Sequence, residues 1–374
     1  MDDSSPPPLT PPPVIAPPPQ SKPRKSRGWM IVAIILFVLL GFSWLVIIAQ
    51  GVSHALTGGG FQTLNAREVG PKLEECLLEN NGSHNKIAVI PVEGLISSHV
   101  ADQAGNDMVD VIQAQLDNAA DDDHVKAVIL KVDSPGGEVM ASDEINKAIV
   151  KFESGPNGKP VICSMGSLAA SGGYYISVPC RWIVANKLTI TGSIGVIMEG
   201  LNYRGLMDKI GVEPMVFKSG KYKDMLSGMR ETNEIPAGEH EMVQNLINET
   251  YGVFTNVVAD GRGAAYVKSS GDGRALATDW TSYADGRVLS GTQALNLGFV
   301  DELGDFGTAV KRAEKIAGIN NANLVEYRER YDFGNLLSMF GQSSKSPDIK
   351  LELGLDIPKL QAGAMYFLWQ APGN

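Results

Sequence analysis

Two short segments carry the residue types that could do chemistry together. Ser171 stands in Met165-Gly-Ser-Leu-Ala-Ala-Ser-Gly-Gly-Tyr-Tyr175, a small-residue turn at the mouth of an apolar helix. Lys218, Lys221 and Lys223 stand in Lys218-Ser-Gly-Lys-Tyr-Lys-Asp224, directly after the apolar run Val212–Phe217. A serine hydroxyl is a poor nucleophile until a base removes its proton. Histidine is the usual base, so the five histidines come first. His54 follows an apolar N-terminal stretch, His84 and His99 lie in polar runs, and His240 lies among polar helix residues. His124 opens a strand, at the end away from the ligand side. No histidine follows a core strand, so a Ser-His-Asp triad is not expected. A lysine can serve instead where burial disfavours its charged form. The residues alone leave all three lysines open.

Three companions strengthen the serine. Gly136 and Gly137 follow a strand in Asp133-Ser-Pro-Gly-Gly137, where the backbone can approach a ligand and offer N–H groups to a developing oxyanion. The N–H of Gly172, at a helix start, supplies a second donor with favourable dipole sign. Ser193, in Thr191-Gly-Ser-Ile-Gly195, is a hydroxyl able to orient a lysine amine.

The elements that must position these groups alternate between strand and helix. Strands are expected at Ile87–Val92, Val125–Val132, Lys159–Ser164 (ending at Met165-Gly-Ser167), Arg181–Ala185 and Val212–Lys218. Helices are expected at Asp107–Asn118, Val139–Phe152 and Pro236–Asp260, with a short one around Ala66–Leu78. The continuous apolar strands suit a parallel sheet covered on both faces, built from βαβ units. Ligand sites in such sheets lie beyond the carboxyl ends of strands, where Gly137 and Ser171 both fall.

Ahead of this domain, residues 1–28 are a proline-rich tail with a basic flank, expected to be disordered. Trp29–Ala49 holds 21 uncharged residues, enough to span a bilayer as one helix. The preceding Lys22, Arg24, Lys25 and Arg27 set the tail on the cytoplasmic side and the body outside. Residues 50–85 are expected as a linker, 86–330 as the α/β domain and 331–374 as a C-terminal extension. Within that extension Leu351–Leu360 and Ala364–Trp369 are apolar islands that could dock on the domain or on a partner subunit.

The formal net charge of −10 leaves an acidic body, which argues against nucleic acid as the main partner. Three cysteines make no disulfide framework; Cys163 is expected as a buried thiol, and a Cys76–Cys180 bridge is the remaining pairing considered. No metal cluster is apparent. Asp121-Asp-Asp123 is most simply a solvated loop, and no cofactor is needed for serine–lysine acyl transfer.

The ordered series resembles the signal peptide peptidase A (protease IV) family in its half-length form. The matching segments are Asp133–Gly137, Ser164–Tyr175, Leu188–Glu199, Lys218–Asp224 and Asp285–Glu302, and the resemblance covers about residues 85–320. It implies Ser171 as nucleophile, Lys223 as general base, Ser193 as the lysine-orienting hydroxyl, and Gly137 and Gly172 as oxyanion donors. It also implies a ClpP/crotonase-like fold, a homo-oligomeric ring whose sites can take serine and lysine from adjacent subunits, and signal peptides or other apolar peptides as substrates. Three other readings compete. A stomatin-partner type of membrane serine protease would share the dyad but cut one specific apolar partner. An acyl-CoA enzyme of crotonase type is suggested by Gly286–Gly298 but would not need Ser171 with Lys223. A catalytically dead scaffold would not need them either.

Overall fold

The computed structural model describes residues 36–40, 70–99, 106–329 and 365–368. The chain divides into two compact units, Met1–Glu68 and Val69–Asn374. In the first, residues 36–40 are helical. The rest of the expected membrane span and the proline-rich tail lie outside the described residues, as do residues 50–69 and the island Leu351–Leu360. Among the described residues no helix is long and apolar enough to cross a membrane.

The second unit runs β1 (Leu73–Glu79), β2 (Lys86–Glu93), α1 (Met108–Asp121), β3 (Val125–Ser134), β4 (Gly136–Glu138), α2 (Val139–Ser154), β5 (Val161–Ala170) and α3 (Gly172–Ser177). It continues β6 (Trp182–Ala185), β7 (Ile190–Gly192), α4 (Arg204–Ile210), α5 (Glu239–Lys268), β8 (Val288–Ser290), α6 (Gly291–Asn296), β9 (Glu302–Leu303), α7 (Phe306–Ala317), β10 (Asn323–Glu329) and β11 (Tyr366–Leu368). The main sheet has the order β1-β10-β2-β3-β5-β6-β9, with β7 added to β5 and β8 to β7. Every pairing from β10 to β9 along that path is parallel; β1 with β10 and β7 with β8 are antiparallel. The fold is therefore mixed α/β around a largely parallel sheet.

The apolar strands are explained by burial on both faces. Ile87, Val89, Ala127 and Ile129 face Ala309 and Ala313 of α7, while Ala88, Ile90, Val128 and Leu130 join the larger core with α1 and α2. Side chains alternate faces, so covering both faces removes any polar alternation.

Four expectations change. Leu73–Glu79 is a strand, because its edge-to-edge pairing with β10 outweighs the helix propensity of its Leu and Glu residues. Residues 212–218 form no strand; most of them are exposed and they have no ladder partner among the described residues. The third strand does not stop at residues 165–167. The register slips there, the Leu168 N–H donates to Asp133 Oδ1 at 3.0 Å, and pairing resumes with β7 through to Ala170. The long helix starts at Glu239 and continues past Gly261 to Lys268. Gly261 allows that: a Cβ there would lie 2.5 Å from Val178 Cγ1. All three cysteines are free thiols, with Cys163 and Cys180 buried; burial and the hydrogen bond with Cys163 push the Cys180 thiol well up.

Candidate active site

Strand β5 delivers Ser171 to the carboxyl edge of the sheet, and helix α3 begins on the next residue. Ser171 has φ 54° and ψ −116°, backbone space that favours glycine. The conformation is held from both sides. The Ser171 N–H donates to Gly192 O at 2.8 Å, and its carbonyl accepts from the Tyr175 N–H at 2.8 Å. Ser171 is 1% exposed, and among the described residues its hydroxyl has no hydrogen-bond partner. An unpaired hydroxyl on a strained turn is an available nucleophile.

Ser193 lies close by, because Ala170 pairs with Gly192 where β5 meets β7. It too has positive φ, 50°, and its N–H donates to Arg287 O at 2.8 Å. Two strained serines therefore flank one strand pairing.

Gly137 belongs to β4, which is stitched to residue 96 on one side. The Ile96 N–H donates to Gly136 O at 2.9 Å, and the Glu138 N–H donates to Ile96 O at 2.8 Å. The N–H of Gly137 therefore faces the other way. A Cβ on Gly137 would lie 1.9 Å from Ile96 O, so no other residue fits. A Cβ on Gly172 would sit 2.7 Å from Ser142 Oγ and 3.0 Å from both Gly137 N and Phe367 O. Gly137, Gly172 and the Phe367 carbonyl thus converge at the start of α3. Glu138 braces β4: its carboxylate accepts from Ser97 Oγ at 2.7 Å and from the Ser98 N–H at 3.0 Å. Burial raises its pKa, but these hydrogen bonds outweigh that and hold it below the ordinary glutamate value.

The three lysines differ. Lys218 Nζ pairs with Asp224 at 2.8 Å, and Lys221 sits 5.0 Å over the Tyr222 ring. Lys223 is exposed, and its amine has no partner among the described residues. No hydrogen bond joins it to Ser171. The segment is fixed further along, where Glu239 accepts from the Leu226 N–H at 2.9 Å and pairs with Arg230.

Comparison with known proteins shows the family to which the chain belongs. The model of peptidase family S49 matches residues 154–320. A protein of Enterococcus faecium described as a signal peptide peptidase SppA is 36% identical over 264 residues, 69% of this chain and 71% of its own. The chain belongs to peptidase family S49. A second relative, described as a protease of Methanocaldococcus jannaschii, is 41% identical over 57% of this chain, which spans 63% of that protein's length. Protease 4 of Haemophilus influenzae is 36% identical over 64% of this chain, and there the match covers 36% of the relative. A mutant of the 1510-N membrane-bound stomatin-specific protease aligns at TM-score 0.38 and 16% identity, over 66% of this chain and 99% of its own.

The S49 match contains Ser171, Ser193 and Lys223, and Gly137 lies ahead of it. Sequence reasoning missed what surrounds them in this S49 chain. Tyr175 and Phe254 form an aromatic cluster with Phe367 beside Gly137, although Phe254 is far from Ser171 along the chain. The signal for Phe367 was the apolar island at 364–369. The structure docks its residues Tyr366–Leu368 on β4 of the same chain.

Proposed function

We propose that this chain is a serine endopeptidase of ClpP/crotonase-like fold that hydrolyses signal peptides or other apolar peptide segments. Ser171 attacks the substrate carbonyl, Lys223 takes its proton, Ser193 orients the lysine amine, and the N–H groups of Gly137 and Gly172 receive the oxyanion. Lysine then passes the proton to the leaving amine, and water resolves the acyl-enzyme by the same steps. The observation that carries this reading is the backbone of Ser171, held at φ 54° at the N-cap of α3 with a hydroxyl that has no partner among the described residues and with Gly137 beside its neighbour. No cofactor or metal enters the reaction.

The site is completed by a neighbouring subunit in a homo-oligomeric ring. A lysine acts as a base near neutral pH only when its ammonium is taken out of water. Supporting this, the segment that carries Lys223 also exposes Leu201, Met215 and Phe217, at 86%, 80% and 90%. Apolar exposure of that order fits a covered face. The uncharged run 29–49 anchors the chain in a membrane, with the N-terminus cytoplasmic and the catalytic domain outside.

A fluorophosphonate probe is expected to label Ser171 and not the Ser171→Ala chain; labelling at another residue would sink the assignment. Co-assembled Ser171→Ala and Lys223→Ala chains are expected to recover part of the activity, and no recovery in proven mixed assemblies refutes a shared site.

A further inference from the structure

Ser142 carries a hydroxyl that the fold leaves idle. It is the fourth residue of α2 and is wholly buried, and among the described residues its Oγ has no hydrogen-bond partner. A serine on a helix commonly bonds back to the carbonyl four residues earlier. Ser154 does so to Val150 O and Ser177 to Gly173 O, both at 2.7 Å. Ser142 does not. A buried hydroxyl without a partner destabilises the folded chain, and alanine in its place would suit the helix better. Stability therefore does not account for this serine; a partner that arrives with the substrate does.

The surroundings of the hydroxyl show where that partner would sit. Asn146, one turn beyond Ser142 on the same face of α2, donates to Tyr175 O at 2.9 Å and fixes that face against α3. Ser142 is thereby brought to the start of α3, at the residue after Ser171. The place where a Cβ on Gly172 would stand is 2.7 Å from Ser142 Oγ and 3.0 Å from Gly137 N. The place where a Cβ on Gly136 would stand is 2.6 Å from Gly172 N. One hydroxyl and two backbone N–H groups thus gather beside Ser171. The Glu138 carboxylate, the nearest acid in sequence, does not cap α2 but is bonded to Ser97 and Ser98, so it does not take up these donors. The Phe367 carbonyl oxygen is 3.0 Å from the same Gly172 position, yet this uncharged acceptor takes no bond from Ser142.

We propose that Ser142 is a third donor to the oxyanion, beside the N–H groups of Gly137 and Gly172. This rests on the serine-peptidase reading above. When Ser171 Oγ adds to the substrate carbonyl, the C=O electron pair moves onto oxygen. The Ser142 O–H donates to that charge and keeps its own proton throughout. The bond lapses when the carbonyl re-forms and the amine leaves. A hydrogen bond made only at that stage lowers the barrier without tightening substrate binding.

The test is cleavage of a fluorogenic apolar peptide by the full-length chain in detergent, set beside its melting temperature. Ser142→Ala is expected to lower kcat about a hundredfold with KM unchanged. It should nevertheless melt at or above the parent, because it removes only an unpaired hydroxyl. Ser142→Cys, close in size but a weak donor, is expected to lose most of the same activity. Fluorophosphonate labelling of Ser171 should slow in step, since charge develops on the phosphonyl oxygen in the same place. A parental kcat and labelling rate in Ser142→Ala overturn the third donor and leave the peptidase reading standing. A fall in kcat accompanied by a lower Tm overturns it too, because that is the mark of a structural residue. So does a raised KM at unchanged kcat, the mark of a contact made equally to substrate and transition state. If the parent neither cleaves nor labels at Ser171, both readings fall.

Discussion

Replacing Ser171 by glycine should make the protein more stable while abolishing catalysis. At φ 54° and ψ −116° an L-residue occupies space that suits glycine, and such strain costs about 1–3 kcal/mol. Glycine relieves it but loses about 0.5–1 kcal/mol through the greater freedom of its unfolded chain. The hydroxyl contributes nothing to offset this, because it has no hydrogen-bond partner among the described residues. Both backbone bonds of the turn, to Gly192 O and from Tyr175 N, survive the change. The net gain is about 1 kcal/mol, or about 2–4 °C in Tm for a domain of this size. Alanine is the control. It removes the same hydroxyl but keeps the strain, so Ser171→Ala should melt close to the parent. Scanning calorimetry of the three full-length chains under identical detergent and concentration measures the difference. A Ser171→Gly chain that melts at or below Ser171→Ala would refute the claim that strain is stored at Ser171.

One further outcome follows from the site. The folded Glu138 carboxyl lies below its ordinary value of 4.5, so its contribution is fully present above about that pH and is lost as pH falls through the lower folded value. Urea midpoints of the parent and Glu138→Gln should therefore differ at pH 6 and converge as the pH falls below 4, and a constant gap would contradict the assignment.

Residue chemistry alone drew attention to Ser171, Gly137 and Gly172, although a small-residue turn after a strand also serves plain strand-to-helix packing. It also led to the expectation of a lysine rather than a histidine base, since no histidine stood after a core strand. The covered parallel sheet was legible as well, because burial on both faces writes continuous apolar runs such as Ile87–Val92 and Val125–Val132. Local pattern failed where pairing decided the outcome. Leu73–Glu79 became a strand only because β10 lies beside it, and residues 212–218 formed none because no ladder partner reaches them among the described residues. The step at residues 165–167 looked like an end because a register slip and a strand terminus use the same small residues. Tertiary structure alone could bring Phe254 and Phe367 to Tyr175, residues distant in sequence that meet only once α5 and β11 pack beside β4. The same holds for the backbone strain at Ser171. Its dihedral angles are imposed by two hydrogen bonds from separate elements, and no residue type records them.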